Sequence, residues 1–174
     1  DSVIFRLRRI ELTAEPETSD TMNTDNSSVD AELDALQRET FSYFLHETNP
    51  QNGLVRDKTA PAWPASIAAT GLALAVYPVG VERGLITRAK AIERVLATLR
   101  FFWRSRHGPE ADATGYHGFY YHFLDMPTGR RAWQCELSTV DSAILFAGAL
   151  TAGAYFDADT PEETEIRTLG DALY

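Results

Sequence analysis

Residues 64–77 read Pro64-Ala65-Ser66-Ile67-Ala68-Ala69-Thr70-Gly71-Leu72-Ala73-Leu74-Ala75-Val76-Tyr77, and no position in the run carries a charge. A helix over this stretch has no polar face, and such a helix is buried on all sides. Small residues at Ala68, Ala69, Gly71, Ala73 and Ala75 would let neighbouring helices approach closely. The run from Ser138 to about Phe156 is of the same kind, nearly uncharged beyond its first turn.

The stretches around these two are different. From Asp30 to about Thr48, Leu33, Leu36, Phe41, Phe44 and Leu45 fall on one helical stripe, which Pro50 and Gly53 close. From Thr87 to about Arg104, Ile92, Val95, Leu96, Leu99, Phe102 and Trp103 form a stripe opposite Arg88, Lys90, Glu93, Arg94 and Arg100. Thr87 is its expected N-cap. A last helix starts with Thr160 as cap, Pro161 at the first position, and Glu162 and Glu163 at the positive end of the dipole. Amphipathic and buried helices therefore alternate, which predicts helical hairpins in two concentric layers with the buried helices inside.

The connections into the two buried helices are long, about residues 49–63 and 105–137, whereas the returns near 78–86 and 157–160 are short. Long loops in a compact domain are functional or disordered, and these two are rich in aromatics. Both enter inner helices, so both emerge on one face. Within the second, Gly118 to Asp125 reads as a strand, Met126-Pro127-Thr128-Gly129 as a turn and Arg130 to Trp133 as a return strand.

The chain has 174 residues, a formal net charge of −9, 44% hydrophobic and 11% aromatic residues. That length supports one domain with a core. The negative balance repels a phosphate backbone, so nucleic acid is not an expected partner. No apolar stretch reaches the roughly 18–20 residues needed to cross a bilayer without a charge. Cys135 is the only cysteine, so an intramolecular disulfide is excluded, and a lone cysteine without a neighbouring base reads as a small buried hydrophobe. Residues 1–28 are poor in apolar side chains after Leu12 and read as a disordered leader or linker, with the folded domain over 29–174. The chain opens on Asp1 without a signal-type run, so a lost leader or a longer parent product is expected. The compartment stays open, a periplasmic or extracellular place suiting a polysaccharide.

Pyranose rings stack on aromatic side chains, and their hydroxyls take charge-assisted hydrogen bonds. Glycoside hydrolysis needs two carboxyl groups about one bond. The predicted face offers three carboxylates as catalytic candidates: Glu136, then Asp141 and Asp57. Arg56, Trp63, Tyr120, Tyr121, His122, Trp133 and Gln134 are the candidate substrate-binding residues. Each has a plainer reading beside the functional one. Ser138 with Asp141 is spaced as a capping box, Glu136 complements the helix dipole, Asp57 pairs with Arg56 and Lys58 at the surface, and the aromatics belong to the core. His117 and His122 are five apart on a strand and point to opposite faces. With no cysteine pair or helical histidine pair, neither a metal nor another cofactor is expected.

Three stretches carry a resemblance. They are Asn52 to Asp57 followed by Trp63 to Gly71, Tyr77 to Gly84, and Gly118 to Asp125 leading into Cys135-Glu136-Leu137-Ser138-Thr139-Val140-Asp141. As a set they resemble the bacterial glucoamylase-like proteins, which include β-1,2-glucanases and the glucoamylase-like region of cyclic β-1,2-glucan synthases. The resemblance covers about residues 32–174. It implies an all-α fold, part of an (α/α) six-hairpin toroid with about five helices present, and a glycoside hydrolase or transglycosylase acting on β-1,2-glucan. It places Asp57, Glu136 and Asp141 in the sugar cleft. About two and a half hairpins of six are expected here, with further acidic motifs and at least one catalytic carboxylate downstream. An open helical edge on that reading predicts self-association. The rival reading is a non-catalytic glucan-binding or interaction module, or an inactive fragment.

Overall fold

The structure is a computed structural model that describes residues 23–174. Helix α1 (Asn23–His46) already begins inside the stretch that composition assigns to the linker, and residues 1–22 of that stretch lie outside the described residues. The compact unit comprises Leu36–Tyr174. It contains the rest of α1, then β1 (Ala65–Ser66), α2 (Ile67–Glu82), α3 (Arg88–Arg104), β2 (Gly115–Tyr116), β3 (Phe119–Tyr121), β4 (Phe123–Leu124), β5 (Leu137–Ser138), α4 (Thr139–Tyr155) and α5 (Pro161–Leu173).

The helix starts are where the capping residues put them. Ser66, Thr87, Ser138 and Thr160 have extended backbones and accept from Ala69, Lys90, Asp141 and Glu163 N–H groups respectively. Each satisfies an orphan donor of the first turn. Helix α2 runs past Tyr77 to Glu82 with Pro78 inside it, whereas the sequence reading stops it at the proline. Gly80 accounts for the last turn being held. It packs under the Phe41 ring, and its carbonyl accepts from Leu85 N at 2.8 Å.

The two apolar helices, α2 and α4, lie against each other, and α3 and α5 pack across them. Gly71 and Gly148 form the α2–α4 crossing, with the Gly71 carbonyl in the space where a side chain at 148 would begin. The core is built from Leu74, Tyr77, Val95, Leu99, Phe102, Leu145, Ala152, Phe156 and Ile166, all at most 1% exposed. The expectation that α2 and α4 are buried on all sides holds for one side of each. Leu72, Val79, Val140 and Leu150, on the other side, are exposed. On α1 the apolar stripe is buried at Phe41 but exposed at Leu36.

Arg88 at the start of α3 reaches Glu163 at the start of α5, with Nε and Nη2 donating to its two carboxylate oxygens at 2.8 and 2.7 Å. This bidentate pair ties the outer helices at one end. Its carboxylate is almost fully buried.

The long loop does not fold as the simple hairpin read from sequence. Strand β3 pairs on one side with β2 and on the other with β5, Tyr120 opposite Ser138. Strand β4 pairs with β1, Ser66 opposite Phe123. What remains of the hairpin is the Asp125–Gly129 turn, a bridge between Leu124 and Arg131, and an Ala132 N–H bond to Phe123 O. The return strand stops there because Trp133 and Gln134 have left-handed backbones, φ 54° and 52°, and cannot continue a ladder.

Candidate functional site

The small sheets fix where the site lies. Strand β1 runs directly into α2 and β5 directly into α4, and both pair with the segment 119–124. The N–H of Ile67, the first residue of α2, donates to His122 O at 3.2 Å, and His122 N donates to Glu136 O at 3.1 Å. Ser142 Oγ accepts from Tyr120 N at 2.9 Å and donates to Ser138 O. The N-termini of the two inner helices are thereby brought to one face, as the loop lengths predict.

On that face His122, Glu136 and Asp141 converge. His122 Nδ1 is 2.7 Å from Glu136 Oε1 and 3.6 Å from Asp141 Oδ2. The potential ligand atoms of the three lie within 4.8 Å of one another. A donor set of one imidazole and two carboxylates suits a zinc-like cation, so these residues could hold one. The expectation of no metal rests on histidine and cysteine spacing, which does not detect a histidine brought to two carboxylates by folding. Hydrogen bonding inside the group already gives His122 Nδ1 a partner in Glu136.

The Glu136 carboxyl is held below the usual glutamate range, first by its own backbone N–H and then by His122. A carboxyl group stabilised as the anion suits a hydroxyl acceptor or a base and opposes the general-acid role. Asp141 lies in the first turn of α4, where Ser138 Oγ accepts its N–H at 3.2 Å. Its backbone completes the cap while its carboxylate lies 3.6 Å from His122 Nδ1, so the capping role leaves the side chain free to face the group.

Asp57 does something else. Its Oδ2 accepts from the Trp63 indole at 3.2 Å, Lys58 Nζ sits 3.6 Å over the Trp63 ring, and Arg56 Nη1 donates to Trp63 O at 2.9 Å. Arg56 pairs with Glu47 at 2.8 Å, not with Asp57. Three consecutive residues therefore grip one tryptophan, and the surface ion pair proposed from sequence is replaced by this grip. Trp63 meets Trp133 edge-on at 4.9 Å, Trp133 meets Phe123 at 5.3 Å, and Phe123 stacks on His122 at 3.8 Å. A continuous strip of rings thus links Asp57 to the His122 group, and Trp133 is its most open member at 59% exposure. A cavity of ≈ 360 Å³ opens beside Trp63 and Trp133, between Arg56 and Met126. A larger one of ≈ 710 Å³ lies along α3, lined by Arg100, Arg104, Arg106 and Arg130 and by none of the candidate residues.

Tyr120 is a correction. It is 4% exposed and packs edge-on against Phe102 and His107, and burial pushes its hydroxyl up to about 12. Its side chain alternates to the opposite side of β3 from the face, so it belongs to the core and cannot stack on a sugar. Its hydroxyl reaches Phe102 O only at 3.4 Å. Tyr120→Phe is expected to cost under about 1 kcal/mol, and Tyr120→Ala about 3–5 kcal/mol, measured by urea denaturation.

Tyr121 is half-buried under Arg131, whose guanidinium lies 4.1 Å from its ring centre. Gln134 is exposed, and its carbonyl is held by Arg131 Nη2. Cys135 is half-buried and bonded through Sγ to the Phe123 backbone, consistent with its reading as a packing residue. Sequence reasoning did not mark Arg131 or Phe123, and no local motif does.

No family model matches the chain. It is 31% identical over 149 residues to an exo β-1,2-glucooligosaccharide sophorohydrolase (non-reducing end) from Parabacteroides distasonis, covering 82% of this chain and 19% of that protein. Among solved structures, a candidate glucoamylase from Bacteroides uniformis is 32% identical with a TM-score of 0.70, over 91% of this chain and 36% of its own. A β-1,2-glucanase from Parabacteroides distasonis is 28% identical with a TM-score of 0.71, over 81% of this chain and 20% of its own. The chain thus spans about a fifth to a third of the proteins it matches, and its two layers of helices are one part of their (α/α) toroid. Over this part of their length it is similar to the bacterial glucoamylase-like proteins.

Proposed function

We propose that this chain supplies one wall of the sugar-binding cleft of a glycoside hydrolase that acts on β-1,2-glucan. The observation that carries the reading is the strip of rings that runs from the exposed Trp133 through Phe123 to His122 and ends at the Glu136 carboxylate, so that a stacking surface leads to an anionic hydroxyl acceptor. The names of the similar proteins supply the linkage. Glu136 and Asp141 serve as substrate-positioning carboxylates on this reading. Their oxygens fall short of the ~6.5–9.5 Å an inverting pair leaves for its water, and the His122 imidazole fills the gap between them. Glu136, held as the anion, accepts from sugar hydroxyls, and the general acid is another carboxyl group. Asp57 acts by orienting Trp63.

The test is calorimetric titration of the chain, and of the full natural protein, with linear β-1,2-linked gluco-oligosaccharides against β-1,3- and β-1,4-linked ones, followed by product analysis. Selective binding of the β-1,2 series is expected. Equal affinity for all three series, or for none, would sink the assignment. Trp133→Ala is expected to weaken β-1,2 binding about tenfold, since an aromatic contact is worth about 1–1.5 kcal/mol. The non-catalytic rival predicts the same binding with no release of product from the full protein.

A further inference from the structure

We propose that Arg131 is the positioning residue of this cleft, setting the Trp133 ring and the Glu136 carboxylate through the backbone of the turn between them. The proposal rests on the glucan-binding reading above.

Trp133 and Gln134 are consecutive residues in the left-handed region. Neither is glycine, asparagine or aspartate, the types that adopt this conformation readily. Strained backbone of this kind persists only where its surroundings hold it. Arg131 supplies the hold. Its Nε donates to Cys135 O at 2.6 Å and its Nη2 to Gln134 O at 2.8 Å. One planar fork thus fastens two successive carbonyls, that of the second strained residue and that of the residue after it. The fork is itself fixed from the other side by the Tyr121 ring, 4.1 Å from the guanidinium carbon, and by the bridge between Leu124 and Arg131. Besides this grip, the turn has a Cys135 N–H bond to Ala132 O at 3.0 Å.

The consequence runs in two directions along the chain. Upstream, the left-handed φ of Trp133 turns its ring back edge-on to Trp63. Downstream, the clamped Cys135 carbonyl fixes the peptide that leads into Glu136, whose carboxylate then meets His122 Nδ1. Lysine lacks the planar two-nitrogen fork, so its single ammonium holds the two carbonyls with less fixed geometry.

Arg131→Ala, Arg131→Lys and Trp133→Phe are compared with the unaltered chain by near-ultraviolet circular dichroism and by titration with a β-1,2-linked glucotriose. Arg131→Ala is expected to lose the same part of the aromatic spectrum that Trp133→Phe loses, and to weaken the triose about tenfold. Its helical signal and urea midpoint stay close to those of the parent. Arg131→Lys falls between. An unchanged aromatic spectrum or an unchanged Kd for Arg131→Ala would overturn the proposal. So would loss of helical structure in both arginine variants, which assigns Arg131 to folding. A parent chain that binds no triose removes the glucan reading, and the spectrum without ligand still decides whether Arg131 holds Trp133.

Discussion

Gly148→Ala is expected to lower the stability of the fold by about 3 kcal/mol or more, the upper end of what overpacking costs. The reason is that the obstacle is backbone. A methyl carbon at 148 would stand 2.0 Å from the Gly71 carbonyl oxygen, and one at 71 would stand 2.6 Å from Leu145 Cα. Neither atom can rotate away as a side chain would, so α2 and α4 must separate along their whole contact. Separation exposes Leu74 and Leu145, both at most 1% exposed, and so adds transfer cost to strain. Gly153 on the same helix is the control. A methyl there meets nothing nearer than Arg167 Cα at 3.8 Å, and removing glycine from a helix interior gains about 0.5–1 kcal/mol. Urea denaturation should therefore move in opposite directions for the two glycine-to-alanine changes. Equal effects at the two positions would refute the account of the crossing.

The contrast between these glycines shows what the sequence discloses and what it withholds. The absence of charge in Ile67–Val76 and Thr139–Tyr155, apart from Asp141, is enough to read two inner helices. Cap residues at 87, 138 and 160 are enough to start three of the helices correctly, whereas the helix read from about Pro64 begins at Ile67, after Ser66 as cap. Loop length alone brings the starts of the two inner helices to one face. Which glycine touches another helix is a tertiary fact, and Gly153 looks no different from Gly148 in the sequence. The site divides in the same way. Glu136 and Asp141 are legible from their place at an inner-helix start. Their meeting with His122 depends on the pairing of β3 with β5, a register between segments about 17 residues apart that local patterns do not encode. Tyr120 and Tyr121 are adjacent and chemically alike. Only the choice of which strand face meets the core sends one inward.

Glu163→Gln is expected to cost about 2–3 kcal/mol at neutral pH and to flatten the acid limb of the stability curve. Removing one partner of a fully buried ion pair costs about 3–5 kcal/mol. The carboxylate here is only 3% exposed, but Arg88 is 36% exposed and recovers some hydration, which reduces the loss. Three donors hold the anion: Arg88 Nε, Arg88 Nη2 and the Ala158 N–H at 2.8 Å. They draw the Glu163 carboxyl below its ordinary value of 4.5, Arg88 contributing most. A carboxyl group more acidic in the folded than the unfolded chain stabilises the fold fully above its unfolded value, and that contribution disappears as pH falls through the folded value. The parent should therefore lose stability steadily below about pH 5, whereas the glutamine variant starts lower and loses less over the same interval. Glu165 also lies below its ordinary value, through Arg100, but both members of that pair are more than a third exposed, so water replaces most of what the pair provides. Urea midpoints measured across the acid range for Glu163→Gln and Glu165→Gln separate the two. A parallel acid limb for the parent and Glu163→Gln would show that the Arg88 pair is not what acid breaks first.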